Sequence, residues 1–415
     1  MLQFISWQQA WALLALVLAG GLIMAKLTER PKIPDVVGYL LLGIVIGPTA
    51  LHLISVPSDS TINQMLVNLG ATMILFEGGM GIQLRTLRKT LVTVVLLATL
   101  GVIVTAFVVG VTAHFLLSLP WDYAFLLAAI IASTDPATLI PVFKRVRVYP
   151  RLQQTVEAES AFNDATAAVL FFTLLEMVSS GGRSISVYQP ILQFFIESGI
   201  GLMIGLIGGY IALLLTSKKS WGIFHEYGSI VMFITAMGTF LLATVAGGSG
   251  FMAAFAAGLI SGNGKSLKLP LSSHTETNIQ HFYQAITFIF RTLIFVLLGS
   301  QVDFRIIVHY LWPALGIVLV LMFIARPLTV AAGVLPSLSV QWKPREYLFM
   351  CWTRETGVIP AALSSMLTVR NIPHMDSIRA VTFVAIIVTI LLQASTTGLL
   401  AKKLNVLLPS YEKDI

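Results

Sequence analysis

Apolar residues in this chain form long runs that are separated by short polar segments. Most runs last roughly 18 to 28 residues, the length that an α-helix needs to cross the hydrocarbon core of a bilayer. A transmembrane barrel would instead alternate apolar and polar positions over about ten residues. The pattern therefore predicts an all-α polytopic membrane protein with about thirteen transmembrane helices. Their expected positions are residues 6–25, 34–51, 64–82, 91–118, 122–143, 154–178, 189–216, 227–246, 248–262, 280–299, 308–333, 346–367 and 378–401.

The composition agrees with this pattern. Charged residues make up 11% of the 415 residues and hydrophobic residues 56%, whereas a soluble domain carries about 25% charged residues. So few charges exclude a cytosolic enzyme and a disordered scaffold. The net charge of +7 does not indicate nucleic-acid binding, because the basic residues lie in short loops between predicted helices. The single cysteine, Cys351, excludes an intrachain disulfide and a cysteine-based metal site.

The basic residues also predict the orientation in the membrane. If the N-terminus lies outside, most of the 26 Lys and Arg residues fall in cytoplasmic loops, as the positive-inside rule requires. No basic residue precedes Lys26, so the first span lacks the charged start of a signal peptide. We therefore expect a multi-pass protein of the cell membrane with a cytoplasmic C-terminus. The short tail after Lys403 predicts no soluble regulatory domain.

Several ionisable residues fall well inside predicted spans, where a charge costs about 2.5–3.5 kcal/mol on insertion scales. They are Glu77, Asp135, Glu159, Asp164, Arg291, Arg354 and Glu355. Such residues must pair with one another or line a wet cavity. Three polar clusters lie near the midpoints of the spans 122–143, 154–178 and 346–367, and so at one depth.

Two of these clusters predict broken helices. Pro136 and Pro360 each remove a backbone donor and clash with the preceding turn. The two spans are the fifth and the twelfth, a separation that fits two inverted repeats of about six helices each. Broken helices at corresponding positions of inverted repeats indicate a transport site at the midplane. The alternative is a pair of ordinary proline kinks.

The third cluster lies in the span between them. Glu159 and Asn163 are separated by one helical turn, as are Ser160 and Asp164, so these residues occupy neighbouring stripes of one helix. The Asp164 carboxylate, the Ser160 hydroxyl and oxygens near Thr134 could bind a dehydrated Na⁺ or K⁺. We expect Asn163, which lies beside Asp164, to be a further ion ligand. The alternative is a polar seam that joins helices.

The buried charges can be paired provisionally. The planar fork of Arg354 suits a buried carboxylate, and we predict Glu159 as its partner. Arg291 is then expected to compensate Asp135. Under this assignment Asp164 lacks a fixed cation, so it can bind either a proton or a metal cation. Competition between the two ions for one carboxylate is sufficient for exchange.

The motifs resemble the NhaP-type branch of the monovalent cation:proton antiporters. The resemblance is carried by Thr134-Asp135-Pro136 together with Glu159-Ser160-x-x-Asn163-Asp164. Further matches are Phe76-Glu77-Gly78-Gly79, Gly248-Ser249-Gly250-Phe251 through Gly258-Leu259, and Arg326-Pro327. The matches extend from about Pro34 to Ala361 and cover nearly the whole membrane region.

The resemblance implies an NhaA-like antiporter fold with crossed broken helices, and a homodimer in which a core moves against a dimerisation scaffold like an elevator. We expect residues 64–178 and 280–367 in the core and residues 6–51 and 189–262 in the scaffold. It further implies that Asp164 carries the ion or proton and that Glu159 pairs with Arg354. The residues expected to line the site are Thr134, Asp135 and Ser160. An Asn-Asp pair resembles electroneutral members that exchange one cation for one proton without a cofactor.

The sequence leaves the roles of two acidic residues undecided. Glu77 lies toward the cytoplasmic end of its span and fits either a further ion ligand or an interfacial acid. Glu355 follows Arg354 at a position where many relatives have glycine, which leaves the charge balance and the selectivity between Na⁺ and K⁺ open.

The interpretation as an antiporter that serves pH homeostasis has three alternatives. A cation-coupled solute symporter on a similar architecture would need a larger substrate pocket. An intramembrane aspartyl protease would need two carboxylates that share a proton, but this chain has no Gly-x-Gly-Asp segment. A channel would need a filter-like repeat, which the sequence lacks.

Overall fold

Every predicted apolar stretch contains helix in the computed structural model, which describes residues 7–29, 34–54, 56–57, 60–134, 139, 142–143, 146–179, 188–218, 222–337, 341–369 and 372–408. The first half comprises α1 (Trp7–Glu29), α2 (Asp35–Ile46), α3 (Thr61–Gly81), α4 (Leu84–Ala98), α5 (Leu100–Leu117), α6 (Trp121–Ala132), α7 (Pro150–Ser179) and α8 (Tyr188–Thr216). The second half comprises α9 (Gly228–Val245), α10 (Gly250–Gly262), α11 (Ser273–Ser300), α12 (Phe304–Val320), α13 (Arg326–Val334), α14 (Pro344–Trp352), α15 (Val358–Val369), α16 (Met375–Thr389) and α17 (Ser395–Lys403). Single π-helical turns, Leu321–Ala325 and Ile390–Ala394, join α12 to α13 and α16 to α17.

The outer surface is that of a membrane protein. Among the described residues, eight helical stretches are long and apolar enough to cross a membrane, and α2, α6 and α10 are shorter apolar helices. Large apolar side chains point outward, including Trp11, which is 73% exposed, and Trp312, which is 80% exposed. Exposure of such side chains over many helices is expected where the surroundings are lipid. The chain is therefore an all-helical polytopic membrane protein.

Two helices are interrupted near the middle of the bundle, as predicted. After α6 the backbone becomes extended at Ser133, and Ser133 and Thr134 are called the first interruption below. After α14, residues Thr353 to Gly357 are not helical before α15 begins, and they are called the second interruption. Pro360 follows within the first turn of α15, where its ring is incompatible with a helix continuing from the preceding turn.

The helices pack in two groups. In the first, called the core bundle, α7 packs on α4 and α6, α5 on α6 and α13, and α12 on α16. In the second, called the scaffold bundle, α10 packs on α3, α8 and α9, and α11 packs on α2 and α3. A buried apolar cluster lies within each bundle, around Phe349 in the core bundle and around Tyr283 in the scaffold bundle.

This packing differs from the predicted division for two helices. α3 and α11 were expected in the core but pack chiefly within the scaffold bundle. Glycines explain the difference, because they let backbones touch. A Cβ atom on Gly258 of α10 would lie 2.1 Å from the Phe76 carbonyl oxygen of α3, and one on Gly299 of α11 would lie 2.2 Å from the Leu40 carbonyl oxygen of α2.

Candidate ion-binding site

The first interruption lies against the middle of α7, and side chains of both meet there. The Ser133 hydroxyl donates a hydrogen bond to the Asp164 carboxylate, and the Thr134 hydroxyl donates to the Ser160 hydroxyl at 2.9 Å. All four side chains are buried, with exposed fractions of 3% or less. Because Ser160 and Asp164 are one turn apart on α7, they face the same neighbour. The arrangement is a buried group of hydroxyl and carboxylate oxygens at a point where the backbone of a helix is open.

Asn163 holds the first interruption in place. Its amide oxygen accepts a hydrogen bond from the Thr134 backbone N–H at 3.2 Å. Its amide nitrogen donates to the Thr134 hydroxyl at 2.8 Å. The amide oxygen and the amide nitrogen of Asn163 therefore both bind Thr134, and Asn163 holds the non-helical backbone against α7. Its expected role as an ion ligand stays a prediction.

The Glu159 carboxylate pairs with Arg326 and not with Arg354. Nη1 and Nη2 of Arg326 donate to the two carboxylate oxygens, Nη2 at 3.0 Å, and both side chains are 2% exposed or less. This bidentate geometry is the one that a guanidinium fork offers a carboxylate. The predicted Glu159–Arg354 pair is therefore wrong. Arg326 begins α13 directly after a π-helical turn, and it lies beside α7 inside the bundle.

Each of the two arginines binds the open carbonyl end of an interrupted helix. Arg354 Nη2 donates to the carbonyl oxygens of the last two residues of α6, at 3.1 and 2.7 Å. Arg326 donates to the carbonyl oxygens of Met350 at 2.9 Å and Thr353 at 3.2 Å, where α14 ends. The last carbonyls of a helix have no partner within it and carry partial negative charge. The guanidinium groups therefore cap both helices and oppose both dipoles.

Glu355 belongs to the same charged group. It lies on the second interruption, is fully buried at 0% exposure, and interacts electrostatically with Arg326 and Arg354. Together with Glu159, these side chains place two buried acids and two buried arginines between the interruptions.

Arg291 pairs with Asp35, which corrects its predicted role as the counter-charge of Asp135. Arg291 Nη2 lies 2.9 Å from an Asp35 carboxylate oxygen, and the Tyr39 hydroxyl donates to the same oxygen at 3.1 Å. The cause is the close packing of α11 on α2, which keeps Arg291 within the scaffold bundle. The predicted ligand Asp135 itself lies outside the described residues.

Glu77 lies on α3 at a cavity of about 420 Å³ that Glu157 and Tyr283 also line. The cavity is at the end of the bundle where Lys265 lies, the side predicted to be cytoplasmic. This position is compatible with either of the two roles that the sequence left open, and its role as an ion ligand stays a prediction.

Sequence reasoning missed two residues of the site. Ser133 stood beside the predicted ligands but was not counted among them, although an alcohol next to a predicted helix break was a usable signal. Arg326 received no role from the sequence, although its match to the Arg-Pro motif was a usable signal for a buried role.

The donor set suits a monovalent cation. Across the described residues, no group of three or more His, Cys, Asp and Glu side chains could hold a metal ion. The described oxygens around Asp164 come from its own carboxylate and from neutral hydroxyls, and such hard donors do not select transition metals.

Comparisons with known proteins agree with this chemistry. The family model described as "Sodium/hydrogen exchanger, transmembrane" matches residues 13–403. Na(+)/H(+) antiporter 1 of Methanocaldococcus jannaschii is 31% identical, with 94% of this chain and 95% of that protein covered. The K(+)/H(+) antiporter NhaP2 of Shewanella oneidensis is 27% identical over 95% of this chain and 67% of its own length.

A solved structure supports the same relationship. The sodium proton antiporter MjNhaP1 from Methanocaldococcus jannaschii at pH 8 superposes with a TM-score of 0.79 at 30% identity, covering 96% of this chain and 99% of that one. The family is one of transmembrane exchangers and not of enzymes. This chain belongs to the sodium/hydrogen exchanger family, in its NhaP-type branch.

Proposed function

We propose that this protein exchanges a monovalent cation, Na⁺ or K⁺, for a proton across a cell membrane, and that the two ions compete for Asp164. The observation that carries the proposal is the buried Asp164 carboxylate, which accepts from Ser133 beside the hydroxyls of Thr134 and Ser160. A carboxylate can be neutralised by a proton or by a cation, and removal of one makes room for the other.

Exchange needs access to Asp164 from each side in turn. With the proton bound, the carboxylate is neutral and the site can reorient. After release of the proton, the cation takes its place among the hydroxyl oxygens, with Asp135 and Glu77 as further ligands. Asn163 is neutral and holds Thr134, so a single titrating carboxylate accounts for electroneutral exchange of one cation for one proton.

The fixed charges support this assignment. Arg326 and Arg354 occupy the carbonyl ends of the interrupted helices, and Glu159 balances Arg326. Bound in this way, the two arginines hold the interrupted helices in place beside Asp164, where the proton and the cation exchange in this proposal.

We further propose an architecture of thirteen spans in two inverted repeats, with the interruptions crossing at the midplane, the N-terminus outside and the C-terminus inside. The moving unit would be the core bundle, sliding against a scaffold bundle that forms a homodimer. The contact between the bundles includes the rings of Phe162 and Phe255, whose centroids are 5.6 Å apart. At this point the contact is apolar, so no directional bond there opposes movement of one bundle. In the cell, such exchange would serve pH homeostasis.

The test is dissipation of a pH gradient in proteoliposomes when Na⁺, K⁺, Li⁺ or Rb⁺ is added, with and without a voltage clamp by ionophore. The unaltered protein should respond to at least one cation in a way that the clamp does not change. Asp164→Asn should abolish the response while leaving the melting temperature nearly unchanged, because it keeps the side-chain volume and removes the titrating group. The control is Asp376→Asn, at an exposed position in the first turn of α16, which should exchange normally. Normal exchange by Asp164→Asn would refute the site.

A further inference from the structure

A cavity lies where the two bundles meet. It has a volume of about 420 Å³ and is lined from the scaffold side by α3, α9, α10 and α11, and from the core side by α7 through Gln153 and Glu157. α7 is also the helix of Asp164. The cavity therefore shares a helix with the proposed exchange site.

The charge of the cavity differs between its rim and its interior. At the rim, Glu276 pairs with Lys265 at 3.1 Å, and both side chains are substantially exposed. Further inside, the described part of the lining contributes two carboxylates, Glu77 and Glu157, and among the described residues no basic side chain. Glu157 is only 6% exposed. The interior of the cavity therefore offers carboxylate oxygens, whereas the charges at the rim are paired with each other.

Two hydroxyl groups of the lining point to a ligand independently of these charges. Ser261 and Tyr283 are buried, with exposed fractions of 3% and 0%. Neither hydroxyl oxygen has a hydrogen-bond partner within the described part of the chain. A buried polar group without a partner costs about 1–3 kcal/mol, so such groups persist where something else binds them.

Glu157 is also aligned with Asp164. It lies seven residues earlier on α7, which is two helical turns and about 10 Å along the axis. Gln153, one turn earlier again, donates to Glu157 at 2.8 Å. Gln153, Glu157, Ser160 and Asp164 thus form one polar stripe on α7, which runs from the cavity to the proposed exchange site.

We infer that the cavity contains a second cation-binding site, formed by the Glu157 carboxylate and the hydroxyls of Ser261 and Tyr283. The inference rests on the proposed function, because it assigns the step before binding at Asp164. A monovalent cation enters with part of its water, is held by Glu157, and gives up the remaining water as it moves along α7. Hydroxyl and carboxylate oxygens suit Na⁺ and K⁺, and a single charge keeps the binding weak enough for the ion to leave.

The first test is the cation dependence of exchange in proteoliposomes. Glu157→Gln should raise the KM for the cation about tenfold, since it removes the only charged ligand of the site. The maximal rate should stay within about twofold, because Asp164 is intact. Ser261→Ala and Tyr283→Phe keep every charge and nearly every atom, so they test the site even if Glu157→Gln fails to fold. Each should raise the KM about two- to fivefold.

The matched control is Glu276→Gln, which removes one negative charge from the rim of the same cavity, outside the proposed site. Its effect on KM should be smaller and should vanish as the ionic strength approaches 1 M, where the Debye length is about 3 Å. The effect of Glu157→Gln should persist there. If the two variants respond alike to salt, the cavity only attracts cations by its field and the site is refuted.

The second test separates this site from the exchange site by binding alone. Purified Asp164→Asn protein should keep weak, saturable binding of radioactive Rb⁺, and this binding should be lost in the Asp164→Asn/Glu157→Gln double variant. No saturable binding by Asp164→Asn would overturn the second site while leaving the proposed function intact. Loss of exchange by Asp164→Asn is the separate test of that function.

Discussion

The first and second interruptions both leave backbone carbonyl and N–H groups without partners in a helix, and different side chains bind these groups at each one. The open carbonyl end is capped by Arg354 at the first and by Arg326 at the second. At the first interruption, the free backbone N–H of Thr134 donates to the Asn163 side chain. At the second, the backbone N–H of Thr356 donates to the Thr389 hydroxyl at 3.0 Å. Both interruptions therefore satisfy backbone groups that would be costly to leave unpaired inside a membrane.

The difference lies in the carboxylates. Glu159, near the second interruption, is held in a bidentate pair with Arg326. Asp164, at the first, accepts from the neutral hydroxyl of Ser133. A carboxylate paired with a guanidinium is neutralised permanently, whereas one among hydroxyls can take up a mobile ion. This difference supports the proposal that the first interruption binds the transported ion and that the second supplies fixed charge and rigidity.

The strongest test of this division is removal of one partner of the buried ion pair. Glu159→Ala or Arg326→Ala should destabilise the protein by about 3–5 kcal/mol, because each leaves an uncompensated buried charge. Melting temperature and yield in detergent measure the effect. The Glu159→Ala/Arg326→Ala double variant should lose less stability than the sum of the losses in the two single variants. Additive losses would mean that the two side chains are not coupled.

Arg354 should behave differently, because its described hydrogen bonds go to backbone carbonyls. Arg354→Ala should lower stability by about 1–3 kcal/mol, the loss expected when buried acceptors are left unsatisfied. Exchange should fall further than stability, since the end of α6 carries Ser133 and Thr134. Arg354→Lys keeps the charge and should recover part of both losses. A melting temperature as low as that of Arg326→Ala would contradict the proposed difference between the two arginines.

Asn163→Asp alters the first interruption alone. The new carboxylate can still accept from the Thr134 N–H, but when ionised it cannot donate to the Thr134 hydroxyl. Stability should fall by about 1 kcal/mol, the net contribution of one hydrogen bond. Because a second titrating acid would stand beside Asp164, exchange should become sensitive to voltage. Unchanged, voltage-independent exchange would count against the argument that one carboxylate sets the stoichiometry.

The interruptions and the ion pairs also differ in how well the sequence predicts them. Hydrophobic runs placed helices in all the expected stretches, and prolines next to polar clusters located both interruptions, because these effects are local. The partners of Glu159 and Arg291 were mispredicted, since pairing depends on which helices touch. That in turn depends on glycines such as Gly258 and Gly299, whose role is visible only when the opposing backbone is known.

The smallest expected effect concerns the second interruption. Thr389→Val keeps the side-chain shape and removes the acceptor of the Thr356 N–H. The change should lower stability by about 1 kcal/mol. It should leave the cation KM and the voltage dependence unchanged, because the proposed ion site is at the first interruption. Thr382→Val is a matched control, since its hydroxyl bonds within α16, to the Ile378 carbonyl at 2.8 Å. If Thr389→Val changed the ion preference while Thr382→Val did not, the second interruption would have to be counted as part of the transport site, and the division drawn between the two would fail.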